Sequence, residues 1–382
     1  MEKIRVLYLI TSLGKGGAER FLVDLCNQMI IDSRFEICLA TLFHENKFPD
    51  LDERVRVTNL NFKVFSFRKK NECLEYKELL ISFQPNIVHT NLFLAEFLSS
   101  YYVDTKIKYV CHGHDNMIQF SLFSLATLSD RRKMLNFVEY NWLKWKKYRI
   151  VNTWFIANSV HTFEYYQKVL PKRLKNKVQL IQYGFNFEKF NKNFKSVKQN
   201  NKHDFYQLIN VGSFQHKKNQ RFFIDVAIEL NKLNFPFQIH LIGDGELKGI
   251  VEKEIVEKGL QNQIFTHGIQ HNVDEWYSNS NLYVHAATYE PFGLVFLEAM
   301  ASGLPIVTLD GKGNKDIIQN GKNGWILEEV NPIEFAKKII SCLENEHEYA
   351  LFQKTALAAA KNFDQKIKNE ELLRFYKTIC NV

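Results

Sequence analysis

The stretch Glu290-Pro-Phe-Gly-Leu-Val-Phe-Leu-Glu298, continuing through Ala299-Met-Ala-Ser-Gly303-Leu-Pro305, decides how the rest of the chain is read. An apolar strand, Leu282-Tyr-Val-His285, precedes it, and a second, Ile306-Val-Thr-Leu309, follows. The order is therefore strand, turn, helix, strand. Pro291 and Gly293 let the backbone turn into the helix, and Gly303 with Pro305 stops it. Glu290 is expected in the loop at the carboxyl end of a strand, where open α/β sheets bind ligands. The free N–H groups that open the helix, around Phe292, Gly293 and Leu294, suit an anion such as a diphosphate. Glu298 lies two turns further along and is able to face the same side.

Working outward, short apolar strands alternate with helical patterns almost throughout. Eleven strands are predicted, at 4–10, 35–42, 87–92, 109–111, 155–157, 178–182, 208–211, 237–242, 264–267, 282–286 and 306–309. Alternating βα units imply parallel sheets covered on both faces. Eleven strands are too many for one ordinary sheet, which argues for two. The polar, Asn/Lys-rich stretch 187–204 has no clear period and reads as the linker between them.

The chain has 382 residues, 46% of them hydrophobic, enough for two domains with their own cores. Six cysteines, at 26, 38, 73, 111, 342 and 380, show no C-x-x-C spacing and read as reduced thiols. No run reaches the ~20 apolar residues of a membrane span, and the N-terminus reads as a first strand rather than a signal peptide. The net charge is +8, and it is unevenly placed. Residues 1–190 carry 28 Lys+Arg against 19 Asp+Glu; the remainder carries 22 against 23. A basic first half suggests an anionic partner. No nucleic-acid module is present, so an anionic membrane face or a lipid-diphosphate acceptor fits better.

The motifs resemble the retaining glycosyltransferases of GT-B fold, specifically glycosyltransferase family four, whose E-x7-E pattern matches Glu290 and Glu298. Further segments carry the same resemblance. Asn210-Val-Gly-Ser-Phe-Gln-His-Lys-Lys218-Asn219 is similar to the family's V-G-R-x-x-x-x-K-N turn, with Ser213 where arginine is usual. Gly243-Asp-Gly245 resembles its G-x-G turn, His267-Gly268 the segment whose loop flanks the nucleotide base, and Gly311–Asp316 its G-G-x-x-E loop. Gly16-Gly17-Ala-Glu19 resembles the G-G-A-E segment after the first strand. The loop lacks the Ser/Thr after Lys15 that a Walker A loop needs, and the third glycine of a dinucleotide fingerprint. Tyr109-Val-Cys-His112-Gly-His114 resembles the strand that delivers the family's active-site histidine; either His112 or His114 holds it, and His112 directly follows the apolar run.

The resemblance implies two facing Rossmann-like domains: an acceptor-side domain at 1–190, a nucleotide-sugar domain at 191–364, and a last helix within 365–382 crossing back to the first. It implies retaining transfer of a sugar from a nucleotide diphosphate sugar, a UDP-sugar favoured over a GDP-sugar, to a glycan or lipid-linked acceptor in cell-surface polysaccharide synthesis. Glu290 would contact the donor sugar, with His112 beside it; Glu298 would hold the ribose and Lys218 the diphosphate. Gly16, Gly17, Asn219, Gly243, Phe292, Gly293, Leu294 and Asp316 would line the donor. No metal, no cofactor and no protein nucleophile is expected, and the expected location is cytoplasmic, on or near the inner membrane face. The alternatives are a nucleotide-sugar hydrolase or epimerase of the same fold, or a non-catalytic binding subunit.

The least family-like part is 117–149, where Phe120, Phe123, Leu125, Leu128, Leu135, Phe137, Trp142, Leu143 and Trp145 mix with Arg131, Arg132, Lys133, Lys144, Lys146, Lys147 and Arg149. It reads either as an interfacial helix near anionic lipid or as an amphipathic pair whose apolar side is core.

Overall fold

The computed structural model describes residues 3–14, 16–62, 73–120, 123–194 and 205–381. Lys15, residues 195–204 of the expected linker, positions 121–122, the Leu125 side chain and Val382 lie outside the described residues. The chain folds as two compact units. One is Met1–Tyr183 together with Lys368–Val382; the other is Gly184–Ile367.

The first unit is built on β1 (Ile4–Ile10), β2 (Phe35–Thr41), β3 (Arg56–Asn59), β4 (Ile87–Asn91), β5 (Lys108–Gly113), β6 (Thr153–Ala157) and β7 (Val178–Leu180). They pair in parallel in the order β3-β2-β1-β4-β5-β6-β7. The second unit uses β8 (Tyr206–Val211), β9 (Phe237–Ile242), β10 (Ile264–Thr266), β11 (Leu282–His285), β12 (Ile306–Leu309) and β13 (Gly324–Leu327). They too are parallel, in the order β10-β9-β8-β11-β12-β13. The central strands are buried on both faces, as helix-covered parallel sheets require. Each sheet changes winding direction once, at β1/β4 and at β8/β11, and it is outside such switch points that open α/β sheets bind ligands.

The eleven predicted strands are all present, several shifted by a residue or two at their ends. Two more were not foreseen. β3 is an edge strand with no buried residue, so it has no apolar run. β13 begins at Gly324 and is only half-buried beyond it. The expected linker is also not wholly aperiodic: Phe187–Asn191 is a short helix. Asn186 caps it by accepting from the Lys189 N–H at 2.9 Å, and its Phe190 is buried beside Tyr277.

The Gln365–Cys380 helix returns to the first unit. Its Tyr376 hydroxyl reaches His89 Nδ1 and lies 3.2 Å from the Tyr8 hydroxyl, and Phe375 packs edge-on to Trp154. All six cysteines are unpaired and five are buried, where they serve as small apolar side chains. Among the described residues no helix is long and apolar enough to cross a membrane.

Candidate functional site

In the second unit, Lys218 leaves the loop after β8 and Glu290 the loop after β11, so both stand at the switch point. Lys218 Nζ forms an ion pair with Glu290 Oε2. Glu290 is 7% exposed. Burial alone would raise its carboxyl above the ordinary 4.5, but the Lys218 ammonium and His285 outweigh burial and hold it at about 2. It is therefore an anion throughout the neutral range.

Three residues that sequence reasoning missed hold this carboxylate in place. Asn210 Nδ2 donates to the Val284 carbonyl at 2.9 Å, which orients the amide, and lies 3.3 Å from His285 Nδ1. The Tyr283 hydroxyl is 3.0 Å from the same Nδ1. With donors on Nδ1, the His285 proton belongs on Nε2, which lies 3.3 Å from Glu290 Oε2. That approach is a contact without a hydrogen bond's geometry. Burial pushes the His285 imidazole down, and Glu290 only partly opposes it. Neutral His285 thus presents an N–H to an anionic Glu290.

The Glu290 backbone is clasped as well. Its N–H donates to the Gly311 carbonyl at 2.8 Å, and its own carbonyl accepts from Gly313 N–H at 3.1 Å. A Cβ on Gly313 would stand 1.9 Å from the Pro291 carbonyl oxygen, and one on Gly311 would stand 2.9 Å from Glu290 Cβ. The glycines of this loop therefore serve the close approach of two protein segments. Between them Lys312 holds a left-handed φ of 76°, a strained conformation for a lysine. Asp316 ends the same loop, half-buried.

Glu298, on the Leu294–Ala301 helix, accepts from the buried Tyr277 hydroxyl at 3.1 Å. Burial, then Glu290 and then Glu298, push the Tyr283 phenol upward, so both carboxylates act on one buried ring. Gly293 opens the helix with φ 96°, where a Cβ would clash with the Phe296 ring; Phe292 is buried and Leu294 half-buried. Gly243 has φ 134°, and a Cβ there would stand 2.1 Å from the Gly212 carbonyl. The backbone it approaches is thus that of the Gly212–Ser213 turn. Asn219 sits at φ 53°, a left-handed position that asparagine tolerates. Ser213 has no charged side chain to offer, and the neighbouring Lys217 is exposed.

The first unit gathers a different set. His89 from β4 and His112 from β5 stack at 5.4 Å between centroids, and His112 stacks on His114 at 4.4 Å. His114 is fully engaged. Its Nε2 reaches Asn91 Oδ1 at 2.8 Å and its Nδ1 the Tyr183 hydroxyl, which accepts from Asn158 Nδ2 at 3.0 Å. His112 is the opposite case: it is 1% exposed, and neither ring nitrogen has a hydrogen-bond partner among the described residues. Burial, with His114 and His89 beside it, drives its imidazole well below the ordinary value, so it is neutral. A buried imidazole with two unsatisfied nitrogens is what a ligand would complete. Of the two histidines left open by the sequence, His112 has the free ring.

Gly16 caps the Gly17–Met29 helix in extended conformation. A Cβ on Gly16 would stand 2.2 Å from Glu19 Oε2, whereas one on Gly17 would meet nothing within 4 Å. The helix start therefore already holds a carboxylate, Glu19, whose pKa is raised chiefly by burial. No group of three or more possible metal ligands occurs among the described residues.

Residues 191–361 match the family model described as "Glycosyl transferases group 1". A capsular polysaccharide biosynthesis glycosyltransferase, CapH of Staphylococcus aureus, is 24% identical over 88% of this chain and 91% of its own length. A poly(glycerol-phosphate) α-glucosyltransferase of Bacillus subtilis is 30% identical over 34% of this chain; the match spans only 19% of that relative. Among solved structures, HepE of Anabaena in complex with UDP and glucose superposes with a TM-score of 0.77 at 20% identity, covering 98% of this chain and 99% of that one. The fold is GT-B: α/β, with two Rossmann-like parallel-sheet domains.

Proposed function

We propose that this chain is a group 1 glycosyltransferase, as the match over residues 191–361 supports, and that it moves a sugar with retention from a nucleotide diphosphate sugar to a glycan or lipid-linked acceptor in surface polysaccharide synthesis. The observation that carries the reading is the ion pair between half-buried Lys218 and buried Glu290 at the β8/β11 switch point, inside the matched region. CapH supports the polysaccharide context and HepE, which binds UDP, favours a UDP-sugar.

The chemistry follows from the charges. An arriving diphosphate competes with Glu290 for the Lys218 ammonium, and charge-assisted bonds to phosphate are strong. Glu290, released but still ionised, faces the sugar hydroxyls and stabilises the positive charge that develops on the ring only in the transition state. His285 holds that carboxylate in position through its Nε2 face. Glu298 takes the ribose hydroxyls. In the second unit Asn219, Gly243, Phe292, Gly293, Leu294 and Asp316 line the donor; in the first, the proposed contacts are Gly16, Gly17 and neutral His112, which accepts from or donates to a hydroxyl. The acceptor oxygen bonds to the anomeric carbon as the bond to the donor phosphate breaks, on the same face. The acceptor's proton goes to the departing phosphate, so no side chain acts as nucleophile.

The test is a thermal-shift panel of UDP- and GDP-sugars, followed by transfer assays with the anomeric configuration read by NMR. A stabilising UDP-sugar whose sugar is transferred with retention supports the reading. No response to any nucleotide sugar, or inversion at the anomeric carbon, overturns it.

A further inference from the structure

The Arg131–Leu143 helix and the π-helical turn Lys144–Tyr148 show two unlike faces. Tyr140, Leu143 and Tyr148 point inward, into a cluster with Phe120, Phe155 and Tyr166. Lys147 is fully buried: its Nζ bonds both Glu96 oxygens at 2.8 Å and Ser99 Oγ at 2.6 Å. The expectation that the apolar side is core is met by Phe120 and Leu143 and, half-buried against the same cluster, by Trp142.

The other face is exposed and still apolar. Leu128 is 64% exposed, Leu135 42% and Trp145 65%, with Val138 and Ile150 also in solvent. Positions 135, 138 and 145 follow helical spacing along this helix and the turn after it, so they form one stripe; Leu128 lies on the preceding short helix, Leu125–Ser129, across the extended Asp130. Trp145 and Lys147 are two positions apart in the π-turn and so fall on opposite sides, Trp145 outward and Lys147 inward. Arg131, Arg132 and Lys133 stand at one end of the stripe, and Lys144, Lys146 and Arg149 at the other. The Arg149 guanidinium lies 5.1 Å over the Trp145 ring. The acids between residues 123 and 150 are Asp130, which caps the helix through the Arg132 and Lys133 N–H groups, and the half-buried Glu139.

We infer that this face docks the first unit on an anionic lipid bilayer. Trp145, Leu135 and Val138 enter the headgroup boundary while the cations meet lipid phosphates, and the buried Lys147–Glu96 pair anchors the helix to the unit's core. A soluble polyanion would use the cations but leave the apolar stripe in water; a bilayer satisfies both. The inference does not depend on the donor chemistry.

The experiment is co-sedimentation of the full chain with phosphatidylcholine vesicles, with and without phosphatidylglycerol, across a salt series. Expected are binding only when anionic lipid is present and weakening with salt. Leu135→Ser with Trp145→Ser should lower partitioning roughly tenfold, and Arg131→Glu with Arg132→Glu at least roughly fivefold per position. Neither pair should change Tm, because all four side chains are exposed. Absence of binding, equal binding to neutral vesicles, or a Ser double variant that binds like the parent each overturns it. So does a dimer that the Ser pair dissolves, or a soluble polyphosphate bound as tightly as the vesicles.

Discussion

The carboxyl ends of the two sheets solve opposite electrostatic problems. In the second unit, Lys218 and Glu290 are both charged and cancel one another at the switch point. In the first, the stacked rings of His89, His112 and His114 are neutral because burial expels charge. Two sheets with like winding thus offer one ionic and one uncharged surface. An ionic site suits a diphosphate and a developing cation; a neutral imidazole suits a sugar hydroxyl.

The comparison breaks most visibly at Glu290. Glu290→Gln keeps the shape but removes the charge, leaving Lys218 unpaired; transfer is expected to fall on the order of a hundredfold or more. Steady-state kinetics with the donor found by the panel check this, and unchanged turnover would remove Glu290 from the site. Next comes the contrast between adjacent histidines. His112→Phe keeps a ring in the buried stack and should cost about tenfold to a hundredfold in kcat/KM with little change in unfolding midpoint, since neither ring nitrogen has a bond to lose. His114→Ala should cost about 1–3 kcal/mol of stability, because Tyr183 and Asn91 lose their partner. If the two variants behave alike, the assignment of the free ring to His112 is wrong.

Buried histidines of both units make stability depend on pH. His89 and His114 are held at about 3, below the ordinary 6.5, and His240 of the second unit at about 4. A depressed folded-state value means that stability is full above 6.5 and declines as pH falls, because the unfolded chain binds the protons first. Each such imidazole contributes up to about 1.4 kcal/mol per pH unit. Glu290, depressed from 4.5 to about 2, adds its own loss only below 4.5. Urea midpoints should therefore fall between pH 6.5 and 4.5, and His114→Asn should flatten that slope.

Smaller effects sharpen the picture. His285→Gln can still present an N–H toward Glu290, whereas His285→Leu cannot; about a fivefold difference in kcat is expected, with KM for the donor nearly unchanged. Ser213→Arg restores the cation usual in the resembling family and should tighten donor binding a few-fold, read by calorimetry.

Much of this was legible in the chain itself, because strand periodicity and turn chemistry are local. The apolar runs around β1, β9 and β12 have the same bounds in both readings. β3 and β13 escaped because edge strands need no continuous apolar run. Asn210, Tyr283 and His285 escaped for another reason. They lie inside strands that read as core, and a polar side chain there shows its partner only when the strands are side by side.

By itself the sequence determined the βα alternation, the two-sheet architecture, the Glu290–Glu298 spacing and the glycines that the turns need. Only the tertiary structure decided which ammonium meets which carboxylate, which of two histidines keeps its nitrogens free, and which side of the Arg131–Leu143 helix faces water. The physical reason is distance along the chain. Lys218 and Glu290 are 72 positions apart, and His89 meets Tyr376 across 287. Parallel-strand register and the return of the last helix bring such pairs together, and neither is written in any local pattern.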